Sequence, residues 1–181
     1  MVGEGVNFAQ PSENVRMLEL APSARVADFG AGSGAYTFVA AELIGHDGKV
    51  YAVEVQKELA EKLATQAIER GFSNIETIWG DIDRVGGSKI VENSLDAVII
   101  SNVLFQSENK QSLAREAFRI LKSGGKVLVI DWSASFGGIG PSSAEVVTAT
   151  QGKAIFIETG FTFEKEFSAG AHHWGIIVRK P

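Results

Sequence analysis

The stretch RVADFGAGSG, residues 25–34, decides the fold. A short apolar run, RVADF, ends at a turn in which three glycines stand at alternate positions. An apolar run that stops at glycines predicts a buried strand followed by a turn that other atoms can approach closely. In open α/β sheets such a turn joins the first strand to the first helix, at the edge where ligands bind. The stretch therefore predicts an α/β fold with a ligand site at Gly30–Gly34, and it leaves the ligand open.

Apolar runs alternate with helical periods along the next hundred residues. The predicted strands are 25–29, 49–54, 74–80, 95–101 and 126–131, and the predicted helices are 35–45, 56–71 and 108–125. Continuous apolar strands separated by helices are typical of a parallel sheet that helices cover on both faces. The pattern predicts five parallel strands in one sheet.

The last third of the chain has a different pattern. Residues 133–142, SASFGGIGPS, form a glycine-rich loop that is a candidate lid, and 145–159 is predicted to be a helix. The apolar runs 161–167 and 172–180 lie only four residues apart, too close for a crossover helix. These two strands are therefore predicted to be antiparallel neighbours.

Length and composition set the class of protein. The 181 residues suit a single domain, 1–181, in which 1–22 is expected to form a helical segment that covers the site. A net charge of −5 argues against nucleic acid as a partner, and the absence of cysteine argues against disulfides and thiolate zinc sites. No metal site is predicted. The start of the chain does not resemble a secretory signal and no apolar run could span a membrane, so a cytoplasmic protein without membrane contact is expected.

Two ligands compete for the glycine turn. Gly30, Gly32 and Ala35 satisfy the G-x-G-x-x-G/A pattern of dinucleotide sites, and Glu54 lies 20 residues beyond Gly34. A carboxylate at the end of the second strand accepts the hydroxyls of an unmodified ribose and repels a 2′-phosphate. Glu54 therefore predicts a nucleoside ligand, which includes NAD.

Two further acids favour a cationic nucleoside. Asp28 lies two residues before the first glycine, an unfavourable place for negative charge beside a pyrophosphate but a suitable one for an ammonium or sulfonium group. Asp81, in the pair GDID (80–83) after the third strand, could accept a hydrogen bond from an adenine amine. A nucleoside with a cationic amino-acid tail explains three acids around one cleft, which points to S-adenosylmethionine.

At this point the chain resembles the class I S-adenosylmethionine-dependent methyltransferases, over essentially its whole length. The motifs that carry the resemblance stand in family order: VADFGAGSG, VYAVE, WGDID, LDAVIISNVLFQ and RILKSGGKVLVIDW. The resemblance implies a Rossmann-like α/β/α sandwich of three layers. Its seven-stranded sheet would have the order 3-2-1-4-5-7-6, with strand 7 antiparallel.

The resemblance also implies a set of cofactor contacts. Asp28, Gly30, Ala31 and Gly32 would line the methionine and ribose part of the cofactor. In the same comparison Glu54 would bind the ribose hydroxyls, Val55 and the backbone of Ile82 would contact adenine, Asp81 would contact its amine and Ser101 would approach the methionine end. All nine positions are cofactor-binding predictions.

Candidates on the acceptor side lie around the same edge of the sheet. Asn102, Phe105 and Trp132 are predicted substrate contacts. His172 and Asp131 are the candidates for a catalytic group, and a neutral imidazole at this edge could act as a general base. The site would be covered by the N-terminal segment, by the 133–142 loop or by a second subunit, so a homo-oligomer stays open.

The leading hypothesis is methyl transfer to a small molecule by in-line displacement, in which positioning and desolvation can supply much of the rate. The absence of cysteine argues against cytosine C5 methylation and against arsenite methylation, although parts of the chain are similar to arsenite and quinone methyltransferases. The stretch SNVLFQ (101–106) departs from the Asn/Asp-Pro-Pro-aromatic motif of many amino-group methyltransferases. Two alternatives remain: a non-catalytic S-adenosylmethionine-binding scaffold and an NAD-dependent oxidoreductase.

Overall fold

A computed structural model describes residues 9–181, in which strands and helices alternate as the sequence pattern predicts. The strands are β1 (Arg25–Phe29), β2 (Lys49–Glu54), β3 (Ile75–Trp79), β4 (Leu95–Ser101), β5 (Leu121–Trp132), β6 (Thr162–Gly170) and β7 (His173–Arg179). The helices are α1 (Pro11–Arg16), α2 (Ala35–Ile44), α3 (Lys57–Glu69), α4 (Lys110–Ile120) and α5 (Ala149–Thr159). None of the helices within 9–181 is long and apolar enough to span a membrane.

All seven strands form one sheet in the order β3-β2-β1-β4-β5-β7-β6. Strands β1 to β5 pair in parallel, while β7 runs antiparallel to both β5 and β6. The predicted strand order and the antiparallel last strand are therefore confirmed. The reversal of strand order lies between β1 and β4, whose carboxyl ends form the crevice in which such sheets bind ligands.

The hydrophobic core occupies both faces of the sheet, because successive strand residues point to opposite sides. On one face Phe29 and Val129 pack with residues of α4 and α5. On the other face Val26 and Ile130 pack with residues of α1 and α2, and Ala52 packs with α3. The result is the predicted sandwich of three layers.

The predicted end of one helix and the predicted start of another were wrong. The helix expected over 108–125 ends at Ile120, because Leu121 already pairs with Leu95 of β4 and opens strand β5. The helix expected over 145–159 begins at Ala149, where Thr148 and Gln151 form a reciprocal capping box. Within 1–22, residues 1–8 lie outside the described part and α1 covers only six residues. The covering role of this segment stays a prediction.

Candidate functional site

The predicted site residues lie at the carboxyl edge of the parallel strands. Since β1 is bonded to β2 on one side and to β4 on the other, the glycine turn after β1 lies between the ends of those two strands. Glu54 is the last residue of β2 and Ser101 the last residue of β4. The topology therefore places the ends of all three strands in one crevice.

The three glycines of the turn have different surroundings. A β-carbon on Gly30 would lie 2.6 Å from the side chain of Val103, and one on Gly34 would lie 2.4 Å from Leu63. A β-carbon on Gly32 would meet nothing closer than the Gly30 carbonyl oxygen at 3.8 Å. Packing thus accounts for Gly30 and Gly34, whereas the position of Gly32 leaves space beside the backbone. That space is where a ligand could approach.

Glu54 connects strand β2 to this turn. Its side chain is only 6% exposed. Its Oε2 atom accepts a hydrogen bond from the Gly32 N–H at 3.0 Å, and Oε1 accepts one from the Gln56 N–H at 2.9 Å. Each carboxylate oxygen can accept a further bond. The carboxylate is therefore held beside Gly32 and can still receive two ligand hydroxyls.

Asp28 is a buried acid beneath the turn, 3% exposed. Burial raises its pKa from 3.8 to about 6, against the hydrogen bonds from Thr37, and the nearby Glu54 raises it further. Thr37 Oγ1 donates to Oδ2 at 2.6 Å. A ligand cation beside Asp28 would stabilise its charged form, whereas a phosphate would oppose it. The buried carboxylate of Asp28 therefore suits a nucleoside that carries an ammonium group.

The predicted adenine side lies next to the end of β2. Gly80 N–H donates to the Glu54 carbonyl oxygen at 3.1 Å, which brings the start of the β3–β4 loop beside Val55. Val55 is 58% exposed, so its side chain is accessible to a ligand. Ile82 is half-buried and packs on the core. Asp81 is more engaged than expected, because Arg84 forms an ion pair with it at 3.0 Å and the Asp83 N–H donates to it.

The end of β4 presents two buried oxygens. Within residues 9–181, neither Ser101 Oγ nor Asn102 Oδ1 makes a hydrogen bond of acceptable geometry. Asn102 also has a backbone φ of +58°. Residues other than glycine rarely adopt such a value, although asparagine tolerates it. Buried polar atoms without partners are uncommon in native proteins. Asn102 Oδ1 is therefore a candidate for contact with a bound molecule, whereas Ser101 Oγ lies beside the Tyr36 hydroxyl.

Sequence reasoning missed the polar residues that support this end of the site. Tyr36 lies near Ser101, and its hydroxyl accepts a hydrogen bond from Asn14 Nδ2 at 3.1 Å. Burial raises the pKa of Tyr36, while Ser101 and Asn14 oppose that shift. The signal that could have found Tyr36 is its place in the first turn of the helix after the glycines, but nothing local pairs it with Asn14.

Asp131, a predicted catalytic candidate, is fully buried and bonded to backbone. Its Oδ1 accepts from the Trp132 N–H at 2.8 Å and its Oδ2 from the Phe105 N–H at 3.2 Å. Burial raises its pKa to about 6, while these backbone bonds and the charge of Lys110 lower it. The arrangement makes Asp131 a support for the segment after β4. A role in proton transfer stays a prediction.

An aromatic group surrounds the end of β5. The rings of Trp132 and His173 are 4.4 Å apart, and those of Phe136 and His172 are 3.9 Å apart. Trp132 is 8% exposed, and the backbone of Gly140 lies so close to its indole that a β-carbon would be 2.6 Å away. The 133–142 loop therefore folds back over the end of β5, and both histidines lie near that end. Among residues 9–181, no group of three or more potential metal ligands occurs.

Comparisons with known proteins agree with this geometry. Residues 20–159 match a protein family described as a methyltransferase domain. Arsenite methyltransferase of Homo sapiens is 35% identical over 112 residues, 59% of this chain and 30% of that protein. Aklanonic acid methyltransferase DauC of Streptomyces sp. (strain C5) is 34% identical over 126 residues, 68% of this chain and 56% of that protein. The chain spans 28–32% of the length of the first arsenite methyltransferases that it matches.

Solved structures share the fold. The crystal structure of a SAM dependent methyltransferase from Aquifex aeolicus has a TM-score of 0.87 at 21% identity, and the match covers 96% of this chain and 90% of that one. At that identity the likeness shows a common fold and leaves the chemistry of this chain to its own residues.

Proposed function

The chain belongs to the class I S-adenosylmethionine-dependent methyltransferases, and from that premise we propose that it transfers the methyl group of S-adenosylmethionine to a small-molecule acceptor. The observation that supports this best is the pairing of Glu54 with the Gly32 N–H above the buried Asp28. The Glu54 carboxylate faces space suited to ribose hydroxyls, and the Asp28 carboxylate favours a cation. An NAD-dependent oxidoreductase would have to accommodate a pyrophosphate beside Asp28.

Different residues of the crevice would contact different parts of the cofactor. Glu54 and Gly32 would hold the ribose, and Val55, Asp81 and Ile82 would hold the adenine. Asp28, Gly30, Ala31 and Ser101 would surround the methionine end. The bound cofactor would supply an electrophilic methyl group on a sulfonium sulfur. The chain's contribution would be to hold that group in line with the acceptor and to exclude water.

The acceptor would enter from the side of β4 and β5. Asn102 and Phe105 follow β4, and Trp132 ends β5 under the uncharged 133–142 loop. Apolar rings and a loop without Lys or Arg favour a neutral, largely apolar molecule over a phosphorylated one. This chain contains no cysteine, so arsenite, which the name of the human relative implies, is not the acceptor that we propose. If a base is needed, His172 and Asp131 are the candidates.

The composition of the chain supports a cellular location and a class of acceptor. A cytoplasmic location fits a chain without cysteine. A net charge of −5 disfavours nucleic acid as the acceptor. A second copy of the chain could cover the site, and gel filtration with and without cofactor would test that arrangement.

Calorimetry tests the proposal first. S-adenosylmethionine and S-adenosylhomocysteine should bind while NADH does not, and methyl release should then be measured over a panel of small aromatic and alicyclic acceptors. Tight binding of NADH alone would establish the oxidoreductase alternative. Cofactor binding without turnover on any acceptor would favour the non-catalytic scaffold.

A variant at Glu54 connects binding to the geometry. Glu54→Ala should weaken S-adenosylhomocysteine by about 1–3 kcal/mol through the loss of charge-assisted hydrogen bonds. Glu69→Ala, at the far end of α3, is the matched control and should bind normally. Unchanged affinity in a folded Glu54→Ala protein would contradict the ribose role.

A further inference from the structure

The loop between β3 and β4, residues 80–94, is hydrogen-bonded to helix α4 and to the residues before it at its start, in its middle and at its end, where the Asn93 and Ser94 N–H groups donate to the carbonyl oxygens of Arg119 and Ile120. In its middle, the Gly86 and Ser88 N–H groups donate to Glu116, a fully buried residue of α4, at 2.6 and 3.2 Å. Arg119 holds the same carboxylate at 2.8 Å. At the start of the loop, Asp83 makes a further connection. The loop that contains Asp81 and Ile82 is thus held against α4 and the residues before it.

Asp83 bonds to the residues that precede α4. Its Oδ1 accepts from Ser107 Oγ at 2.6 Å, and its Oδ2 accepts from the Glu108 and Asn109 N–H groups at 2.8 and 3.4 Å. Asn109 already caps the helix, since its side chain accepts from the Ser112 N–H at 3.1 Å. Asp83 is therefore not needed as the helix cap. It holds the chain before the helix.

That stretch, residues 102–109, is called here the acceptor segment, because it contains Asn102 and Phe105. Its first half is held by Asp131, whose carboxylate accepts from the Phe105 N–H at 3.2 Å. Its second half is held by Asp83. The first support comes from the core of the sheet and the second from the cofactor side of the crevice. The two supports therefore depend on different parts of the molecule.

Asp83 is also joined to the proposed adenine contact. Its own N–H donates to Asp81 Oδ1 at 3.0 Å. A ligand amine on Asp81 would thus fix the residue whose carboxylate orders the acceptor segment. On the basis of the proposed function, we propose that Asp83 is a positioning residue that couples occupancy of the adenine site to the order of the acceptor segment. Binding of an amine at Asp81 would thus slow the opening of the acceptor segment.

Hydrogen exchange detected by mass spectrometry tests this coupling, with S-adenosylhomocysteine as the probe. In the wild-type protein the probe should slow exchange in residues 102–109 about fivefold or more, the lower end of typical coupling between sites. In Asp83→Ala the probe should still protect the glycine turn and Glu54–Gln56 but no longer protect the acceptor segment. Asp47→Ala, which removes an exposed acid from a distant loop, should behave as wild type.

A purely structural Asp83 gives different results. Exchange in the acceptor segment would then be insensitive to the probe in the wild type, or equally slowed in wild type and Asp83→Ala, and either result overturns the proposal. If Asp83→Ala does not fold, Asp83→Asn replaces it, and undiminished protection in that variant also overturns the proposal. Failure of wild-type protein to bind the probe by calorimetry would instead overturn the proposed function. The two failures are thus distinguishable.

Discussion

The buried carboxyl of Asp28 lowers the stability of the unliganded protein and suits a cationic ligand. The carboxyl is 3% exposed, and burial raises its pKa from 3.8 to about 6. Keeping that group charged at neutral pH therefore costs the unliganded protein up to about 3 kcal/mol. Within residues 9–181, the only side-chain hydrogen bond to this carboxyl comes from Thr37, and it does not offset the burial. A cationic ligand would supply the missing partner.

The substitution Asp28→Asn should separate the two effects. An amide oxygen can still accept from Thr37 without a buried charge, so the free energy of unfolding at pH 7.5 should rise by about 1–3 kcal/mol. Affinity for S-adenosylmethionine should fall about tenfold or more, because the charge that attracts its ammonium group is gone. Urea denaturation and calorimetry measure the two quantities. A variant that is less stable and binds normally would contradict this account.

The pH dependence of stability follows from the same carboxyl. Between about pH 6 and pH 3.8 the native state holds a proton that the unfolded chain releases, so the free energy of unfolding should rise as pH falls through this window. Asp131, whose pKa is also raised to about 6, acts in the same direction. Denaturation at pH 7.5 and pH 5 should show the gain, and Asp28→Asn should show a smaller one. Equal slopes in both proteins would exclude Asp28 as a source.

In the turn between β1 and α2, Gly34 is needed for packing and Gly32 is the glycine proposed to lie beside the ligand. Gly34→Ala should lower the free energy of unfolding by about 1–3 kcal/mol, because its β-carbon would meet Leu63 at 2.4 Å and Phe38 at 2.8 Å. Gly32→Ala meets no such neighbour and should cost only the backbone strain at φ +51°, about 1 kcal/mol. Its β-carbon would enter the ligand space, so it should weaken S-adenosylhomocysteine more than Gly34→Ala does. The reverse order of affinities would contradict the assignment of Gly32.

Elements were predictable where their periodicity is strong, and their boundaries were not. The run RVADF and the glycines after it predict β1 and its turn, because a buried strand and a positive φ each require particular residue types. The predicted end of α4 was wrong because the stretch RILKSGG locally continues a helical pattern. Pairing of Leu121 with Leu95, 26 positions away, overrides that pattern. Local propensity is a weak guide where a distant strand offers a ladder of hydrogen bonds.

Across the molecule as a whole, the sequence alone pointed to residues that the sheet brings to one crevice, but not to the residues that support them. Glycines and strand-end acids are recognisable because the chemistry of a nucleoside site demands them at particular positions. Tyr36, Asp83 and Glu116 act through partners that are 22 to 30 positions away or belong to other elements. No local pattern marks such pairs. They emerge only when the sheet brings the elements together.

Asn14 connects the N-terminal helix to both the site and the far edge of the sheet. Its Nδ2 donates to the Tyr36 hydroxyl at 3.1 Å and to the Ala169 carbonyl oxygen at 2.9 Å. Asn74 is a matched residue away from the site, since its Nδ2 donates to the carbonyl oxygens of Ala41 and Gly45 at 2.9 and 2.8 Å. Both side chains are buried, at 2% and 4% exposure.

The two asparagines therefore allow stability and binding to be compared across the molecule. Asn14→Ala and Asn74→Ala should each lower the free energy of unfolding by about 1–3 kcal/mol, because each removes two hydrogen bonds that a buried amide donates. Only Asn14→Ala should also weaken S-adenosylhomocysteine, since Tyr36 lies beside Ser101 at the proposed methionine end. Denaturation and calorimetry on both variants measure the difference. Equal affinity in the two proteins would mean that Asn14 supports the fold alone, and that the N-terminal helix contributes nothing to the cofactor site through Tyr36.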